Sequence, residues 1–334
     1  MCGIIGFLHK RGRTDAPVGQ TLLVMLQALS CRGPDSAGVA VFGPAGNWHL
    51  RVTVPEDMIL EADDEPGGQW VPIWPPPHED DSDRGVGGPE SDSVVAALHS
   101  IGVAPHRHYR NGVYDALLWR ADPETVETQI LAAIPGVEVV CLGQAINLFK
   151  QVGSPSQLEK TYGISRYTGS HGIGHTRLST ESRVDLSHSQ PFWAHGVPDM
   201  ATVHNGHITN YHKLRRQYEQ RGYRFYTEND SEVIGVYLRD RLEVGMSLAD
   251  ALRSSLDDFD GSFSYLAATG DCLAYVKDRF GFKPLVVAET EDFVAIATEE
   301  IALRKALGTE FVAYEPPPGS MQIWTIPSAA SVPT

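Results

Sequence analysis

The stretch MCGIIGF (residues 1–7) decides how the rest of the chain is read. Cys2 is either a small residue leading into a first strand, or a nucleophile that becomes the N-terminus once Met1 is removed. Working outward, CGIIGFLHK (2–10) is short and apolar and predicts a strand. TLLVMLQALSCRG (21–33) repeats its apolar residues at helical spacing and ends in a glycine stop. SAGVAVFG (36–43) predicts a second strand.

The tract from Pro55 to Pro89 breaks this pattern. EADDEPGG (61–68), PPPHEDDSD (75–83) and GVGGP (85–89) mix prolines, glycines and acids with little apolar material, which predicts a loop over 55–90. Order returns over 91–162 as a small α/β insertion. It contains a helix at SVVAALHSIG (93–102), a strand at VYDALLWRA (113–121) and a strand at VEVVCLG (137–143). Between those strands DPETVETQILAAI (122–134) predicts a helix capped by Asp122, with Pro123 at its first position. From Gly169 onward strands dominate, interrupted by helices at 210–222, 230–242 and 248–259.

Composition narrows the function classes. A net charge of -15 argues against nucleic acid and anionic membrane surfaces, which need a basic footprint. With 42% hydrophobic and 21% charged residues the chain has material for a real core, and no run of about 18 apolar residues predicts a membrane span. The N-terminus lacks the layout of a secretory signal. Cys2, Cys31, Cys141 and Cys272 lie far apart, so neither a zinc site nor a disulfide framework is expected, and a reducing cytoplasm is the default. Cys31, Cys141 and Cys272 are expected as small buried hydrophobes. The His106 and His108 pair lacks a third ligand nearby, so no metal site is expected.

Four short stretches can carry chemistry: MCGIIGF, GIGHTRLST (172–180), HNGHITN (204–210) and NDSE (229–232). Each has an ordinary reading. Arg177 can make a surface ion pair on a strand, Asn205-Gly206 can mark a tight hairpin turn, and Asp230 can cap a helix. In this order, the set resembles the class II glutamine amidotransferases, hydrolases whose catalytic cysteine is the first residue of the mature chain. CRGPDSAG (31–38), DRFGFKPLV (278–286), ATEEIAL (297–303) and EPPPGSMQIW (315–324) extend the resemblance, which covers about 1–50 and 165–326. It implies an α+β fold, the four-layer αββα sandwich of the N-terminal-nucleophile hydrolases, as one domain over 1–334 with the 55–90 loop and the 91–162 insertion inside it.

Hydrolysis of a glutamine side-chain amide needs a nucleophile, a base, an oxyanion site and a grip on the amino-acid end. By resemblance Cys2 is the nucleophile and forms a thioester. A free α-amine, with a pKa of about 7.7–8.0, can take the thiol proton without a separate histidine. The resemblance assigns the oxyanion hole to the Asn205 side chain and the Gly206 N–H. Arg177 would hold the α-carboxylate through its planar fork and Asp230 the α-ammonium. Thr180 is expected as a polar lining residue. Leu178 and Glu181 depart from relatives that carry tryptophan and histidine there, which places the chain away from the glucosamine-6-phosphate synthase pattern. His171, His175, His204 and His207 flank the expected pocket, either tuning it or serving as hydrogen-bonded strand histidines.

EVVCLGQAINLFKQVGSPSQLEKTYGI (138–164) looks like the stand-alone amidotransferase subunits of glutamate-synthase-like systems such as N-methylglutamate synthase. That resemblance implies partners: a synthase subunit carrying FMN and an iron–sulfur cluster, and a glycine-repeat subunit. No cofactor is expected on this chain, and the ammonia acceptor is expected on another polypeptide. Two other readings stand beside it, a non-catalytic glutamine-binding regulator and a hydrolase of a related γ-glutamyl amide.

Overall fold

The computed structural model describes residues 2–55, 58, 93–109, 112–178 and 185–327. They fall into two compact units, one within the bounds Met1–Pro44 and Ile146–Thr334, the other within Ala45–Ala145. Elements are numbered along the chain.

The first unit is built on two antiparallel sheets. The larger contains β1 (Gly3–His9), β2 (Ser36–Phe42), β7 (Ile146–Val152), β8 (His171–Arg177), β13 (Val286–Glu289), β14 (Phe293–Ala297) and β15 (Ala313–Tyr314), in the order β15-β13-β14-β1-β8-β2-β7. The smaller contains β9 (Phe192–Trp193), β10 (Ala201–Ile208), β11 (Gly261–Thr269), β12 (Cys272–Lys277) and β16 (Ser320–Thr325), in the order β16-β12-β11-β10-β9. Helices α1 (Val18–Ala28), α4 (Pro155–Tyr162) and α8 (Glu300–Leu307) pack on the larger sheet. Helices α5 (Tyr211–Gln220), α6 (Glu232–Glu243) and α7 (Leu248–Asp258) cover the smaller one, burying Leu214, Tyr237 and Leu252 against Phe263 and Tyr265. This is the four-layer αββα sandwich.

Close approach of the sheets depends on Gly6. A Cβ there would sit 3.1 Å from Leu266 and 3.3 Å from Leu273 across the layer. Side chains alternate along a strand, so Cys2 shares the phase of Ile4 and Gly6 and faces the smaller sheet. Asn205 stands opposite Ser264, which shares the phase of Leu266, so it faces back toward the larger sheet. Thr298 anchors the start of β1, accepting from the Ile4 N–H at 2.8 Å and donating its own N–H to the Ile4 carbonyl at 2.9 Å.

The second unit is a four-stranded sheet, β4 (Val103–Tyr109), β5 (Val113–Leu118), β3 (His49–Thr53) and β6 (Glu138–Gly143) in that order, with helices α2 (Ser93–Ser100) and α3 (Val126–Ala133). Its bounds differ from the 91–162 insertion expected from sequence. It takes in β3, whereas residues 146–162 supply β7 and α4 of the first unit, because β7 pairs with β2 along its whole length. Cys141 and Cys272 are buried, but Cys31 is exposed, because the 3₁₀ turn Ser30–Arg32 turns it outward. The 55–90 tract, apart from Pro55 and Met58, lies outside the described residues.

Candidate active site

Cys2, Arg177, Gly206 and Asp230 meet in one cavity of about 870 Å³ in the first unit. Thr180, expected among its lining, lies outside the described residues. Arg177 ends β8 and is 5% exposed, and its Nη1 donates to the His188 carbonyl at 2.9 Å. The CRGPDSAG segment fixes its backbone. Asp35 N–H donates to the Arg177 carbonyl at 3.0 Å, and a Cβ on Gly33 would come within 2.5 Å of the Arg177 nitrogen.

Asn205-Gly206 is no hairpin turn; it lies within β10. Gly206 has φ 141°, a conformation that favours glycine, and a Cβ there would meet the Ser262 carbonyl oxygen at 2.2 Å. Its register partner is Phe263, whose N–H and carbonyl bond Asp278 instead, at 2.9 and 3.0 Å. Gly206 and Phe263 are therefore a non-hydrogen-bonded pair, and the Gly206 N–H turns toward the opposite edge of β10, as do those of His204 and Ile208. Asp278 also accepts from Phe280 and Gly281 N–H groups at 2.7 and 3.1 Å, so the DRFGFKPLV motif braces the strand behind Gly206. Asn205 is 3% exposed and, among the described residues, its Nδ2 has no hydrogen-bond partner. A buried amide donor left unpaired costs about 1–3 kcal/mol unless a ligand completes it.

Asp230 does not cap the following helix, which begins at Glu232 with Ser231 at the N-cap. Its Oδ2 accepts the Ile208 N–H at 2.8 Å and lies 3.6 Å from His207 Nδ1. The Glu232 carboxylate accepts the Tyr226 and Thr227 N–H groups at 2.7 and 2.9 Å and so shapes the adjacent wall.

The histidines divide. His175 donates from Nε2 to the His204 carbonyl at 3.2 Å, directly before Asn205, and burial, helped by Arg177 and His204, pushes its pKa down to about 3. Burial likewise lowers His204 against the opposing pull of Asp230, so both rings are neutral. His171 sits outside the cavity lining, stacked on Phe42 at 4.5 Å, with its pKa pushed down to about 4 by burial. His207 lines the cavity with 70% of its side chain exposed.

Sequence reasoning missed Gln190, Ser231 and the His188–Asp185 pair. Gln190 and Ser231 are buried wall residues, and His188 Nδ1 lies 2.6 Å from Asp185 Oδ1 beside Arg177. Ser231 lies within the NDSE stretch without being assigned a role, and Gln190 left a trace as a polar residue directly before the apolar PFW strand. Among the described residues no group of three His, Cys, Asp or Glu side chains is placed to hold a metal ion. No helix among them is long and apolar enough to cross a membrane.

Known proteins place the chain in a family. The chain is 35% identical over 98% of its length to a Methanothermobacter thermautotrophicus protein, matched over 100% of its own, that is named provisionally as a glutamine amidotransferase. The chain belongs to the glutamine amidotransferase family. This amidotransferase is also 33% identical, over 99% of its length, to the whole of the glutamine amidotransferase-like protein GlxB of Rhizobium meliloti. A family model described as a glutamine amidotransferase domain matches residues 175–305. Among solved structures, the glutamine phosphoribosylpyrophosphate amidotransferase of B. subtilis superposes with a TM-score of 0.57 at 20% identity, covering 96% of this chain. The chain spans 47% of that protein, about half its length, and the likeness shows the fold.

Proposed function

We propose that this enzyme is the glutaminase subunit of a glutamate-synthase-like complex, releasing ammonia from glutamine for a partner synthase. The observation that carries the reading is the buried, unpaired Asn205 Nδ2 beside a cavity that Cys2 lines. With Met1 removed, the Cys2 α-amine takes the thiol proton and the sulfur attacks the side-chain amide carbon. Asn205 Nδ2 and the Gly206 N–H donate to the oxygen as it gains charge. The carbon–nitrogen bond then breaks, and the amine's proton goes to the leaving nitrogen, which departs as ammonia. Water cleaves the thioester, giving glutamate and the free thiol.

Arg177 holds the substrate carboxylate and Asp230 its ammonium, with Thr180 as a further polar contact. The partner assignment rests on the 138–164 segment, which resembles the stand-alone subunits of N-methylglutamate synthase-type systems. In that arrangement FMN and an iron–sulfur cluster belong to the synthase, a glycine-repeat protein completes the assembly, and the work is done in the cytoplasm.

Ammonia release from glutamine by the processed protein, alone and with co-purified partners, tests the reading. Cys2→Ala should lower turnover on the order of 10⁴-fold or more, as loss of a nucleophile does. Undiminished release by that variant would overturn the mechanism. Co-purification without any flavin-containing partner would overturn the complex.

A further inference from the structure

Strand β9 pairs with β10 at Ala201 and Thr202, and beyond Thr202 no strand among the described residues lies beside the outer edge of β10. Side chains complete that edge. Gln190 Oε1 accepts the His204 N–H at 2.6 Å, and Gln190 Nε2 donates to Ser231 Oγ at 3.0 Å. Ser231 Oγ donates to Asp230 Oδ1 at 3.4 Å, and Asp230 Oδ2 accepts the Ile208 N–H at 2.8 Å. His204 Nδ1 lies 2.8 Å from Ser231 Oγ. For all of these contacts to be hydrogen bonds, Ser231 must accept from Gln190 and from His204 and give its own hydrogen to Asp230. The circuit leaves β10 at residue 204, returns at 208, and brackets Gly206.

We propose that Gln190 is a positioning residue that sets the separation between the oxyanion donors at Asn205-Gly206 and the ammonium acceptor Asp230, so that the site measures side-chain length and selects glutamine over asparagine. The inference rests on the reaction proposed above. Both ends of the site hang from the same five residues of β10: Asn205 and Gly206 belong to it, and Asp230 is tied to it directly at Ile208 and, through Ser231 and Gln190, at His204. A substrate one methylene shorter that engages Asp230 leaves the buried Asn205 donor unpaired, and a buried polar group without its partner is what makes discrimination large. A slack circuit would let Asp230 move toward the shorter substrate.

The test compares kcat/KM for ammonia release from glutamine and from asparagine in the wild type, Gln190→Met and Ser231→Ala. Gln190→Met keeps the volume and removes both bonds; Ser231→Ala opens the circuit at its other joint with a minimal change of shape. The glutamine-to-asparagine ratio should fall about 10-fold in each variant, the scale of one methylene's worth of discrimination. Loss of folded protein cancels in this ratio, so a merely structural role would not move it. A ratio unchanged in both variants overturns the inference. If the wild type releases no ammonia, the amidotransferase reading fails by itself. The ratio of glutamine to asparagine affinity by calorimetry then replaces the rate ratio, with the same two outcomes.

Discussion

Each unit buries a polar cluster, and the two are satisfied differently. In the second unit Arg51 and Asp115 are each 3% exposed, and Arg51 Nε and Nη2 reach the two Asp115 oxygens at 2.5 and 2.9 Å. Tyr109 donates its hydroxyl to Asp115 Oδ2 at 2.9 Å, so the carboxylate is fully engaged from within. In the first unit the wall around β10 is just as buried, yet among the described residues Asn205 Nδ2 and His204 Nε2 are left without partners. A closed cluster holds strands in register. An open one keeps polar atoms ready for something that is not part of the chain, and pays for that readiness in stability.

The largest effect that would sharpen this contrast comes from the closed cluster. Asp115→Ala leaves a buried guanidinium without its carboxylate and should cost about 3–5 kcal/mol. Hydrogen exchange should report it as lost protection in β3 and β5. Protection unchanged there would mean that the pair is dispensable.

Asn205→Ala should do the reverse. Turnover should fall about 10²–10³-fold through loss of one oxyanion donor. The unfolding midpoint should hold or rise, because the deleted amide nitrogen has no protein partner to lose. A variant that loses stability and keeps its turnover would place Asn205 with the structural residues and erase the contrast.

The two clusters were also unequally legible in sequence. Cys2, Arg177, Gly206 and Asp230 were findable because their motifs, taken in order, resemble those of the class II glutamine amidotransferases, and the structure gathers them in one cavity. The four layers were expected from that resemblance, and apolar runs such as Ile4–Leu8, buried on both faces, gave only the strands. The unit boundary was not legible. Ile146–Val152 reads as one more apolar strand, and nothing local says that its partner is β2, more than a hundred residues earlier. Asn205-Gly206 taken alone suggests a turn, and only the pairing with β11 makes it strand. Gln190 and Ser231 are 41 positions apart and ordinary in type, so their bond exists only once β9 and α6 have been folded together. The Arg51–Asp115 pair is likewise non-local, at 64 positions.

Acid should pull the two regions apart, with the smallest effect of the set. His171 has its pKa pushed down to about 4 by burial, against an ordinary value of 6.5. The unfolded chain therefore takes up a proton first as pH falls. Stability from this group is fully present above pH 6.5 and is lost as pH falls toward 4, at up to about 1 kcal/mol per pH unit. Asp115 behaves differently. Burial alone would raise its carboxyl, but the charge and hydrogen bonds of Arg51 hold it below the ordinary 3.8. Its contribution is present above that value and is lost only as pH falls through the lower folded one. His171→Gln should therefore flatten the dependence of unfolding free energy on pH between 6.5 and 4, and Asp115→Asn should leave that window's slope alone. Urea titrations across that range read both slopes. Equal flattening by the two variants would show that both units lose stability in the same acid window, and that the buried histidine and the buried ion pair do not answer to acid separately.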